Sequence, residues 1–189
     1  MKNTYITGYI PLFSILMFSL TFSVYGVGSC IDLFKAVGIY AGMKEFLTDI
    51  QLKIVILFGL MIIFFMILAS LKLIAETINS AALLFFSKER DGKALQQARS
   101  GSMIYLTGSL LSAVSLHSFI GLFVIFLITS FIYFIYFVVK VSSKLSLKGT
   151  VGVILFEIMT WLLLLSSVLF VAASLYNGIM ESLPILKQV

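Results

Sequence analysis

SGSMIYLTGSLLSAVSLHSFIGLFVIFLITSFIYFIYFVV, residues 100–139, contains no Asp, Glu, Lys or Arg. As one helix it would be roughly 60 Å long at 1.5 Å per residue, about twice the hydrocarbon thickness of a bilayer. A single span cannot hold it, so the run must fold back on itself. The one polar interruption near its middle is Ser115-Leu116-His117-Ser118, with Gly121 just beyond. A turn is expected there, between spans over about 101–116 and 119–139. The second span is dense in Phe and Tyr, and Tyr133 and Tyr136 approach Lys140 as an interfacial aromatic belt would.

Outward from this run the composition agrees. The 189 residues are 61% hydrophobic and 11% charged, with a mean hydropathy of +1.15. A soluble domain is about 45–50% apolar and about 25% charged, so no water-exposed surface can be built from this chain. The expected fold is all-α: one integral membrane domain over 1–189, a polytopic transmembrane bundle of about five spans. The others are about 5–28, with Pro11 in its first turns, 54–73 and 150–175. The pattern after Leu71 continues without Gly or Pro to Ser87. One helix from Ile54 to Phe86 would be about 50 Å long and must tilt or emerge from the bilayer.

Residues 30–50 are too charged to span. Asp32, Lys35, Lys44, Glu45 and Asp49 alternate with Ile31, Phe34, Val37, Tyr40 and Phe46, the pattern of an amphipathic helix lying at the external interface. Gly38 and Gly42 have GxxxG spacing, either a helix-packing face or a bend between two short helices.

Basic residues set the expected orientation. Lys2, the loop with Lys88, Arg90, Lys93 and Arg99, and the loop with Lys140, Lys144 and Lys148 fall on one side. Lys35, Lys44, Lys53 and Lys187 fall on the other. The richer side is cytoplasmic by the positive-inside rule, placing the N-terminus inside, the C-terminus outside and the chain in the plasma membrane.

Val27-Gly28-Ser29-Cys30 has the look of a lipobox, in which cleavage frees a cysteine for lipidation. Gly28 fits that motif poorly, the preceding apolar run opens irregularly, and a multi-pass chain needs no lipid anchor. Cys30 is expected as an unmodified thiol. As the only cysteine it excludes an intramolecular disulfide and a cysteine-based zinc site.

Ionisable residues inside spans cost about 2.5–3.5 kcal/mol each on insertion scales and usually face a partner or water. Lys72, Glu76 and Asn79 share one helix face, and Glu157 lies in the last span. Lys72 and Glu157 are expected to meet, either fixing helix packing or forming a relay for ions or protons. His117, the only histidine, reads as a turn residue. The chain has no HExxH, GxSxG or phosphate-loop pattern. The expectation is a non-enzymatic accessory or interaction protein, with no cofactor, no metal and no nucleic acid. Its partners are the lipid bilayer and other membrane proteins or a second copy. The alternative is a small transporter or channel component using Lys72, Glu76 and Glu157.

KNTYITGYIPL (2–12), DLFKAVGIYAGMKEF (32–46), LKLIAETINSAALLFFSK (71–88) and YFVVKVSS (136–143) resemble the YufK-type small membrane proteins of bacilli. The resemblance runs along nearly the whole chain. It implies the plasma membrane of a Gram-positive bacterium and supplies no catalytic or binding residue.

Overall fold

In hydrocarbon a backbone must satisfy its own N–H and C=O groups, and long apolar segments do so as helices. The computed structural model describes residues 4–87 and 99–182, with side chains over 8–87 and 100–178, and every regular element in it is helical. These are α1 (Thr4–Val37), α2 (Ile39–Phe46), α3 (Asp49–Phe86), α4 (Ser102–Ser112), α5 (Phe119–Ser142) and α6 (Leu147–Ser182). Four of them, α1, α3, α5 and α6, are long and apolar enough to cross a membrane. The expected basic loop with Lys88, Arg90 and Lys93, and the termini with Lys2 and Lys187, lie outside the described residues. So does the side chain of Arg99.

The hairpin in the uncharged run forms where the polar interruption stands. Leu116 and His117 make the turn, with His117 exposed. Ser118 caps α5 by accepting the Gly121 N–H at 3.1 Å. The helix before it, α4, has 11 residues, only about 16 Å at an α-helical rise. Arg99–Gly101 and Ala113–Ser115 extend it at both ends as 3-10 turns. At their rise of about 2 Å per residue the whole segment reaches about 28 Å.

Residues 30–50 depart from the expected single amphipathic helix. α1 runs through Cys30 to Val37, with Pro11 inside it about two turns from its start at Thr4. Gly38, at φ 80°, breaks the chain before α2. A left-handed residue ends a helix cheaply only as glycine. Neither Gly38 nor Gly42 faces a neighbouring helix, so the spacing marks a bend and not a packing face. Thr48 and Gln51 then start α3 with a capping box: Thr48 N–H donates to Gln51 Oε1 at 3.0 Å, and Gln51 N–H to Thr48 Oγ1 at 3.4 Å.

Asp49 ties α2 to the start of α3. It accepts from the Tyr40 hydroxyl at 2.7 Å and from Lys44 Nζ at 3.1 Å. The Tyr40 hydrogen bond, then that of Lys44, holds the Asp49 carboxyl below its ordinary value. Asp49 pushes Tyr40 and Lys44 upward. A depressed carboxyl stabilises above its unfolded pKa and ceases to as pH falls through the folded one. The raised Tyr and Lys lose their contribution as pH rises through their own folded values. Protease cleavage between α2 and α3 should therefore stay level across neutral pH and rise only in acid below the ordinary Asp range, or in strong base. Asp49→Asn should abolish the acid limb.

Side-chain contacts set the heights of the helices. α1 and α3 are antiparallel: Phe22 stacks on Phe64 at 5.4 Å, Phe18 packs with Leu68, and Leu60 lies 3.0 Å from where a Gly26 Cβ would stand. α5 starts partway along this pair, with Phe119 against Phe22 and Leu122 beside Phe18 and Leu68. It ends with Phe137 against Ala82 of α3 and Val153 of α6. The uncharged length of α5 thus runs beside α3 from about Phe64 to Leu83. The opposite end of the α1–α3 hairpin, with α2 folded on it, projects past the start of α5 around Ile31, Leu52 and Ile56.

Small residues let these helices approach. Ser14, Ser19, Thr21 and Ser23 of α1, Ser109 and Ser112 of α4, and Thr129 of α5 are all buried. Most donate to a carbonyl of their own helix, and Thr21 and Ser112 also join across α1 and α4 at 3.0 Å. Lipid tails are as apolar as Leu, so close packing and such hydroxyl contacts hold a bundle where the hydrophobic effect does not.

Candidate functional site

The second half of α3 carries ionisable groups because its helix has no breaker after Leu71. Lys72 and Glu76 stand one turn apart and pair at 2.7 Å. The expected meeting of Lys72 with Glu157 does not occur. Glu157 instead faces Asn79, seven residues beyond Lys72, or about 10 Å further along the helix. The register between α3 and α6 is set at their ends, where Phe86 lies over Gly149 and Gly152. Depth counted from an assumed span boundary near Leu71 misses that offset.

Glu157 is 2% exposed. With the Asn79 amide nitrogen facing it, the orientation that satisfies both neighbours, Asn79 donates to Glu157 Oε1 at 2.8 Å and to the Ala75 carbonyl at 3.3 Å. Among the described residues the ion pairs are Lys35–Asp32, Lys44–Asp49 and Lys72–Glu76, so no cation pairs with Glu157 there. Tyr133 of α5 lies within electrostatic reach of both Glu76 and Glu157. Its ring is 5.2 Å from that of Tyr105, whose hydroxyl donates to Ser130 at 3.1 Å. Tyr136 contacts Ser100 at 2.7 Å and lies under Lys140. The buried pair can clamp α3 to α6 or hold a proton on Glu157.

Lys72 and Glu76 differ from Glu157 in exposure: their side chains are 38% and 53% open. Thr77 and Ser80 beside them are exposed too, each bonded to a carbonyl of its own helix. Lys72, Glu76 and Ser80, four residues apart, form one outward stripe.

Cys30 is a free, partly buried thiol inside continuous α1, packed with the Ile31–Leu52–Ile56 cluster. The sequence reading missed Gly108, Gly152 and the buried serines and threonines. Small residues inside apolar spans were the available signal for them.

The chain matches DUF5366, described as a family of unknown function, over residues 27–184. It is 38% identical over 185 residues to the uncharacterized membrane protein YufK of Bacillus subtilis (strain 168), covering 98% of this chain and 100% of that protein. No solved structure matches it. The molecule is thus an all-α membrane protein, and it belongs to the DUF5366 family.

Proposed function

We propose that this is a non-enzymatic interaction protein of the plasma membrane that engages another integral membrane chain through the outward stripe of α3. One observation carries the reading. The Lys72–Glu76 pair, with Lys72 half-buried and Glu76 exposed, lies level with the middle of the uncharged stretch of α5. Facing acyl chains there, each charge costs about 2.5–3.5 kcal/mol on insertion scales, and a polar partner relieves that cost. A photocrosslinking residue at Ser80 should give a discrete protein adduct in membranes, while the same probe at exposed Ile63 gives lipid adducts. Lipid adducts alone at both positions would sink the reading.

The basic loops support a cytoplasmic N-terminus. Cys30 then lies on the outer side, beyond the start of α5. An impermeant maleimide should label it on protoplasts, and intact mass should show the uncleaved chain. A mass beginning at Cys30 with a lipid would overturn this placement.

The buried Glu157 supports a second reading, a transporter or channel component. In that case N,N′-dicyclohexylcarbodiimide, which attacks protonated intramembrane carboxyls, should label Glu157, and substrate or ion gradients should change the rate of labelling. A constant rate under every gradient would count against transport.

A further inference from the structure

We infer that the partner of the α3 stripe is a second copy of this chain, held by reciprocal Lys72–Glu76 pairs. The inference rests on the interaction reading above and names its partner.

The stripe is self-complementary. It carries one cation and one anion, Lys72 and Glu76, four residues and so about 6 Å apart along the helix. Copies of one membrane protein insert in the same orientation, so their two-fold axis lies along the membrane normal and brings α3 against α3 in parallel. Each Lys72 is then level with the other Lys72, and one turn from the Glu76 of the second copy. A lysine side chain can bridge that offset. The four charges form a closed ring in which each cation has two anions as neighbours. The ring is neutral, and the intrahelical pair need not break to form it. Ser80 is small, and its hydroxyl is already satisfied by the Glu76 carbonyl. It allows close approach without orphaning a donor.

The other unpartnered surfaces among the described residues specify no occupant. The half of α6 from Leu162 to Tyr176 and the outer face of α5, with Ile120, Leu127 and Phe131, are exposed and largely apolar, and acyl chains cover them without penalty. Among the described membrane-spanning segments, the α3 stripe presents charges that lipid cannot satisfy and an identical chain can.

The test uses the whole protein in its membrane. In a Cys30→Ser background, Ser80→Cys, one turn beyond Glu76 on the same stripe, should oxidise to a product of twice the chain mass. Lys72→Glu makes the stripe wholly acidic, and Glu76→Lys makes it wholly basic. Each alone should lower the dimer product about tenfold, because like charges then face one another. Co-expressed with different tags, the two variants should cross-link to each other at close to the original level. A mixed pair that cross-links no better than either variant alone overturns the inference. If neither variant accumulates, the Ser80→Cys protein decides: a product of twice the chain mass supports the second copy. Monomer alone, or an adduct of another mass, overturns it. An adduct of another mass would leave the interaction reading standing, whereas lipid adducts alone would remove both.

Discussion

Gly108→Ala should leave little folded protein. A Cβ at Gly108 would collide with Oγ1 and Cγ2 of Thr129 and would lie 2.9 Å from its Cβ. Thr129 is buried and bonded to the Ile125 carbonyl, so it has no free rotamer to turn into. Overpacking a dense interface typically costs 1–3 kcal/mol, and about 3 kcal/mol is expected here because the clash reaches Cβ. α4 is short and depends on its contacts with α1 and α5, so its detachment should follow. The measurement is the monodisperse fraction after solubilisation in mild detergent. Exchanging the space, with Gly108→Ala and Thr129→Gly together, should recover most of it. Equal yields of the single variant and the parent would show that α4 and α5 do not pack at this point.

Asn79→Leu should be nearly as damaging, for an electrostatic reason. It removes the amide that donates to buried Glu157 and puts nothing polar in its place. Leaving a buried group without its hydrogen-bond partner costs about 1–3 kcal/mol, and more where that group is charged. Glu157→Gln should cost far less, because its carbonyl still accepts from Asn79. Replacing both partners with leucine should approach neutrality, since no buried group is then left wanting. Thermal aggregation midpoints of the parent, Asn79→Leu, Glu157→Leu and the double leucine variant form the cycle. Additive losses in the double leucine variant would show that the two residues act independently.

The architecture was readable from the uncharged run 100–139, because its length conflicts with a bilayer and one polar patch interrupts it. The turn at Leu116 and His117 bears that out. The continuous helix past Leu71 was readable for the same reason, the lack of a breaker. What could not be read was the vertical offset between helices. By charge alone α3 would end its span near Leu71, yet Phe22 on Phe64 and Phe137 on Ala82 set its register. That offset decided the candidate site, pairing Asn79 with Glu157 and leaving Lys72 to Glu76. Spacing along one chain shows which residues share a face and is silent on which residue of another helix lies opposite. The capping box at Thr48 and Gln51 is a different case: its residue types were in plain view and would have placed the start of α3.

The length of α3 has a consequence on the lipid side. Apolar side chains stay exposed along it from Ile54 to Phe86, about 50 Å of helix. Even at a tilt of 40°, the upper end for membrane helices, that length projects about 38 Å onto the normal, against a hydrocarbon core of about 30 Å. Where its ends do not emerge, acyl chains around the molecule stretch to cover the difference, at a fraction of a kcal/mol for each ångström. The strain is smallest where lipids are longest, so this protein should sort toward the thickest regions of its membrane. Two such molecules standing together share one stretched annulus and strain fewer lipids than two apart.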